Sequence, residues 1–163
     1  MIIRRAGPEE YVIGFSLLKD AAEWLRRKGV AYWQNWHDPP ARHRKWIRDG
    51  FDRGEFFFAE DEGAVVGMFR LQDADPMFWG DDGEAALYIH SLTTKRSLAG
   101  KGLGRELLMR IEEKAKEKSR KFLRLDCGAE IEKLCAYYEA FGFSFVRRIE
   151  ADGYVMNLYQ KSV

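Results

Sequence analysis

One run of six residues, Ala99-Gly100-Lys101-Gly102-Leu103-Gly104, constrains what this chain can fold into more than any other. It separates a strand-like stretch, residues 84–94, from a segment in which Leu103, Leu107, Leu108, Ile111 and Ala115 recur on one helical face. Glycines between a strand and a helix let the backbone turn sharply and approach a ligand without interference from a Cβ. The helix that follows presents unpaired N–H groups and the positive end of its dipole, which suits a pyrophosphate, and Lys101 and Arg105 add cationic support. Two other readings stand beside this one. The run can simply reverse the chain. It can also be a dinucleotide-binding turn, since Asp126 follows about 20 residues after it, where an acidic ribose ligand is expected. Leu107 counts against that second reading, because it occupies the third small position and would obstruct close helix–strand packing.

The rest of the chain supplies the frame. Residues 2–5 read as a short strand, and Tyr11, Phe15, Leu18, Ala22 and Leu25 carry a helix to about Gly29. Asp38-Pro39-Pro40 breaks the chain and starts a second helix with Trp46, Ile47 and Phe51. A hairpin follows, residues 55–60 and 64–71 around Asp61-Glu62-Gly63, and then an acidic loop at 73–83. After the glycine run and its helix come a strand at 122–127, a helix carrying Ile131, Leu134, Cys135 and Tyr138, and a closing hairpin turning at Asp152-Gly153. The order β-α-α-β-β-β-α-β-α-β-β predicts one α/β domain over residues 1–163. Its βαβ unit at 84–127 should be parallel with a right-handed crossover and the flanking hairpins antiparallel.

Charge and cysteine content narrow the partners. Lys plus Arg is 27 and Asp plus Glu is 26, so no excess of charge argues for nucleic acid. No apolar run approaches the ~20 residues that span a bilayer, and the N-terminus is charged too soon for a signal peptide. Cys127 and Cys135 fit no zinc spacing, and Cys127 on an apolar strand reads as a structural thiol. A reducing cytoplasm is their expected home.

The glycine run and a later block, Tyr137-Tyr138-Glu139-Ala140-Phe141-Gly142-Phe143, together resemble the GNAT acetyltransferase family. The family's coenzyme A signature is Gln or Arg, two variable residues, Gly, any residue, then Gly or Ala. Gly102 and Gly104 match its glycines, and Ala99 stands at its first position. Ile131 stands where an Asn often begins the second helix. The resemblance implies a mixed, mostly antiparallel sheet with a central parallel βαβ coenzyme A unit flanked by helices. Acetyl-CoA is then the co-substrate, with no metal. Backbone groups of Leu92, Thr93 and Thr94 would hold the pantetheine, and residues Ala99, Gly100, Lys101, Gly102, Leu103, Gly104 and Arg105 the pyrophosphate.

The same resemblance assigns the chemistry. Tyr138 would protonate the leaving thiolate. A base is expected on the strand at 84–94, at positions matching Tyr88 and His90. Alternation places Glu84, Ala86, Tyr88, His90 and Leu92 on one face of that strand. His90 would accept the amine's proton directly or through water, against the plainer reading of a histidine satisfied inside the sheet. The acceptor is expected to be a small-molecule or peptide amine, drawn to Asp73, Asp75, Asp81 and Asp82 beside Phe78 and Trp79; a solvated acidic loop is the plainer reading there. Tyr32, Trp33, Trp36 and Trp46 are candidates for the same pocket, with core packing as their default. Family habit suggests a homodimer, and a non-catalytic acetyl-CoA sensor is the alternative function.

Overall fold

The structure, a computed structural model, describes residues 1–151 and 153–163. Asp152, expected in the closing turn, lies outside the described residues. The chain gathers into two units, one of residues 1–71 with 91–107 and one of residues 72–90 with 108–163. Seven strands follow the order β1-β2-β3-β4-β5-β7-β6.

In the first unit, β1 (Ile2–Arg5), β2 (Phe56–Asp61) and β3 (Ala64–Gln72) are antiparallel, with Ile3 opposite Ala59 and Phe57 opposite Phe69. Glu62 and Gly63 turn the hairpin with φ of 49° and 78°, the paired left-handed residues that a two-residue hairpin requires. Helix α1 (Tyr11–Arg27) buries Gly14, Leu17, Leu18, Ala21 and Ala22, one stripe at the 3.6-residue period. Its approach is fixed by Glu10, which accepts from the Gly7 N–H at 2.7 Å and from Arg4 at 2.7 Å. Helix α2 (Ala41–Asp52) starts directly after Pro39-Pro40 and lends Ile47 and Phe51 to the same core as Leu18, Phe56, Phe58 and Met68. Gly14 is required by space, since a Cβ there would sit 2.7 Å from the Phe51 ring.

One buried cation anchors this core. Arg70 is fully buried, its guanidinium 3.9 Å from the centroid of Trp46. It donates to Glu55 Oε2 at 2.6 and 2.9 Å and to the Trp46 carbonyl at 3.0 Å. Burial weakens its hold on its proton, and the Glu55 carboxylate offsets that.

Strand β4 (Ala86–Thr94) has residues 86–90 in the second unit and 91–94 in the first. Within the second unit β4 runs parallel to β5 (Phe122–Gly128), with Ala86 beside Phe122 and Tyr88 beside Arg124. Strand β7 (Tyr154–Ser162) pairs antiparallel with both β5 and β6 (Ser144–Ala151). The closing hairpin therefore joins the sheet through its second strand. Helix α3 (Leu103–Glu117) forms the crossover from β4 to β5, and α4 (Glu132–Ala140) follows β5. The α/β class, the mostly antiparallel sheet and the parallel β4–β5 pair agree with the sequence reading, although β4 begins at Ala86 and not at Glu84. Among the described residues no helix is long and apolar enough to cross a membrane.

Candidate active site

The glycine run lies wholly in the first unit. Gly100 and Gly102 have φ of 82° and 77°, and a Cβ at either would meet nothing within 4 Å. Conformation, and not crowding, is therefore what demands glycine at both positions. The turn feeds straight into α3 at Leu103. The first N–H groups of an α-helix have no carbonyl within the helix to bond, so this end offers donors to an anion. A pyrophosphate suits such an open, donor-rich turn.

The strand leading into the turn departs from simple alternation. Ser91 has φ of 51°, a left-handed residue in the middle of β4. Tyr88 and His90 keep the expected alternation, but the interruption at Ser91 removes the basis for placing Leu92 on their face. Beyond it, Thr93 is buried, and its hydroxyl has no hydrogen-bond partner among the described residues. The Thr94 carbonyl and hydroxyl accept from Arg96 at 2.8 and 2.9 Å. Arg96 also lies 5.3 Å from the Trp24 ring centroid, and its N–H donates to Asp20 at 3.3 Å. Sequence reasoning missed Asp20 and Arg96, which hold the stretch between Thr94 and Ala99. No motif marks them; an acid on α1 and a base after β4 meet only in the fold.

The second unit holds Tyr88, His90 and Tyr138. Tyr88 is buried and its hydroxyl accepts from Arg124 Nη1 at 3.0 Å. Arg124 is itself held by Asp82 at 2.7 Å and Gln160 at 2.8 Å, over the ring of Trp79. His90 lies between two carboxylates, with Nε2 3.0 Å from Asp75 and Nδ1 3.5 Å from Asp126. The side chains of Asp75, His90 and Asp126 are 7, 9 and 11% exposed. Burial raises the Asp126 carboxyl to about 6, against the opposing pull of His90 and with a further push from Asp75. Tyr138 is buried on α4, and desolvation holds its phenol well above the usual range, so it stays protonated at neutral pH.

The three donor atoms of Asp75, His90 and Asp126 lie within 4.8 Å of one another, the spacing of a metal cluster. The imidazole turns one nitrogen to each carboxylate, Nε2 to Asp75 and Nδ1 to Asp126. Most of the acidic loop's carboxylates are tied to other side chains, while Asp81 is exposed and accepts from the Gly83 N–H at 3.3 Å. Asp73 pairs with Lys118 and Arg120, Asp82 with Arg124, and Asp75 faces His90. Trp79 is buried beneath Arg124. Of the N-terminal aromatics, Trp46 lies under Arg70, and Trp33, Trp36 and Trp46 pack against the first unit's core. Cys127 and Cys135 are buried free thiols 3.7 Å apart, and burial pushes the Cys127 thiol up, as suits a structural residue.

The comparisons with known proteins meet this geometry. The model of the acetyltransferase (GNAT) family matches residues 18–143. The chain belongs to the GNAT acetyltransferase family. It is similar to the uncharacterized N-acetyltransferase YesJ of Bacillus subtilis, 34% identical over 158 residues, covering 90% of this chain and 82% of that protein. Among solved structures, a GNAT family acetyltransferase from Listeria monocytogenes is 28% identical with a TM-score of 0.79, over 99% of this chain and 94% of that one. The GNAT fold is shared by yncA of Salmonella typhimurium, solved with acetyl-CoA, at 17% identity and a TM-score of 0.69, over 99% of this chain and 93% of that one.

Proposed function

We propose that this chain transfers an acetyl group from acetyl-CoA to a primary amine by direct attack, without a covalent enzyme intermediate. The observation that carries the reading is the left-handed Gly100 and Gly102 turn opening onto the first turn of α3. That turn supports a pyrophosphate held by the run from Ala99 to Arg105, with Lys101 and Arg105 balancing its charge. Leu92, Thr93 and Thr94 then run alongside the pantetheine, and the Leu92 N–H polarises the acetyl carbonyl.

Bound acetyl-CoA supplies an activated thioester. The amine nitrogen forms the new C–N bond, the C–S bond breaks, and the sulfur leaves with its electron pair. Tyr138, kept neutral by burial, donates a proton to that sulfur. The amine must give up protons, and β4 carries the candidate positions for this, His90 and beside it Tyr88, whose hydroxyl Arg124 already engages. Holding both substrates together contributes much of the acceleration. The acceptor is a small-molecule or peptide amine, family habit suggests a homodimer, and the free thiols of Cys127 and Cys135 suit a reducing cytoplasm.

Calorimetric titration with acetyl-CoA, with NADH in parallel, tests the cofactor assignment. Micromolar acetyl-CoA binding with no NADH binding is expected. Turnover against a panel of amines then separates an enzyme from a sensor. Absent acetyl-CoA binding would show that Ala99 and Ile131 had cost the site, and would end the enzyme reading.

A further inference from the structure

Three residues from separate places in the sequence converge in the second unit, and the acetyl-transfer reading uses only one of them. His90 comes from β4, Asp126 from β5 and Asp75 from the loop after β3. The parallel register explains two of them. Tyr88 lies beside Arg124 and Ile89 beside Leu125, so the next positions along the two strands are His90 and Asp126. Asp75 is fixed by its own turn, its carboxylate 3.4 Å from the Phe78 N–H and its carbonyl accepting from the Trp79 N–H at 2.9 Å. The loop is tied down further by Asp82 on Arg124 and by Arg147, which donates to the Trp79 carbonyl at 3.0 Å.

The ring's surroundings decide its protonation. Nε2 is hydrogen-bonded to Asp75 at 3.0 Å and Nδ1 faces Asp126 at 3.5 Å, so while both carboxylates are ionised a proton on each ring nitrogen meets a negative oxygen. A ring in that state has no lone pair with which to take a proton from an amine. Of the cluster's three side chains, the carboxylates then remain to do so.

We infer that Asp75, His90 and Asp126 work as one proton-accepting unit, in which Asp75 positions a doubly protonated His90 and Asp126 takes up the acceptor ammonium's proton. The inference rests on the acetyltransferase reading and assigns the step that His90 alone cannot perform. The balance is simple. The ammonium loses one proton to Asp126, and the cluster passes from a net charge of −1 to zero. The freed amine forms the C–N bond, Tyr138 protonates the departing sulfur, and the surplus proton on the new amide nitrogen restores Tyr138. Asp126 then releases its proton to solvent. Its carboxyl, raised to about 6, is empty at neutral pH yet basic enough to be filled. The groups acting on it are His90 from β4, Asp75 from the loop, Tyr138 from α4 and Cys127 on its own strand, while its partner on β7 is the apolar Leu158.

Two measurements on the full chain test this. Nitrogen NMR of histidine-labelled protein, with His90→Gln to assign the signal among three histidines, reads the ring directly. Both His90 nitrogens should be protonated at pH 7, and Asp126→Asn should release a neutral ring there. A neutral ring in the unsubstituted protein overturns the inference. This measurement needs no turnover, so a protein that acetylates nothing would sink the acetyltransferase reading while leaving this result standing. The second is kcat/KM against pH at saturating acetyl-CoA. It should fall about tenfold per pH unit below a limb near 6. Asp126→Asn should lose that limb, with a plateau at least about tenfold lower and acetyl-CoA affinity within about twofold. A limb unmoved by Asp126→Asn overturns the proton assignment. So does one equivalent of zinc retained after dialysis and lost in Asp126→Asn.

Discussion

At the scale of single residues, the second unit separates two proton tasks by environment. Tyr138 and Asp126 are both buried, and in both cases burial disfavours the charged form. For a phenol this produces a group that is always protonated, and so always ready to donate. For a carboxyl it produces a group that changes state near pH 6. A proposed acid and a proposed base thus arise from the same desolvation acting on different side chains. Tyr138→Phe removes the hydroxyl and leaves the ring packed on Phe143, whose centroid lies 5.9 Å away. The expected result is a kcat lower by about 100-fold or more, with acetyl-CoA affinity unchanged, read by steady-state kinetics and calorimetry. An unchanged kcat would remove Tyr138 from the mechanism.

At the scale of elements, Gly102 and Gly63 form a natural comparison. Both sit at positive φ, 77° and 78°, and a Cβ at either meets nothing within 4 Å. Valine at either position is strained by its conformation, at a cost of about 1–2 kcal/mol. The two differ in what the turn serves, one the start of α3 and the other a hairpin. Gly102→Val should therefore abolish acetyl-CoA binding, while Gly63→Val should lose similar stability and keep its affinity. Denaturant melts alongside calorimetry check both, and equal affinities would place the coenzyme elsewhere. The same elements show what the sequence made legible. The stripe of Leu107, Leu108 and Ile111 foretold α3, and glycines at 100 and 102 foretold the turn, because periodicity and positive φ leave local marks. Ser91 left none, since serine is an unremarkable residue for a strand and its left-handed φ is imposed by the fold. The insertion of β7 between β5 and β6 was equally hidden, because either strand of a hairpin can pair with a neighbour. Tyr88, His90 and Tyr138 could be nominated by family pattern, but Asp75 and Asp126 are 51 residues apart in sequence and meet only through the parallel register and a loop turn.

For the molecule as a whole, pH sets two groups of carboxyls against each other. Asp82 is lowered to about 2, first by its hydrogen bond from Arg124, and Glu10 and Glu112 are lowered by Arg4 and Lys161. Such groups stabilise the folded state above their unfolded pKa, and that contribution is lost as pH falls through their folded values. Asp126 runs the other way. Its folded value, about 6, lies above the ordinary 3.8, so the folded protein binds the proton more tightly than the unfolded chain does. The resulting stability is fully present below pH 3.8 and is lost as pH rises through 6. The difference of about two units corresponds to roughly 3 kcal/mol between the ends of that window. Asn at this position cannot titrate, so Asp126→Asn should gain on the unsubstituted protein as pH rises from 4.5 to 7.5, by roughly 2 kcal/mol of that difference. Urea unfolding of both proteins at the two pH values measures the difference directly. A gap that stays constant with pH would mean that Asp126 ionises as an ordinary carboxylate. The cluster would then lack the reserve of affinity that makes it a proton acceptor at neutral pH.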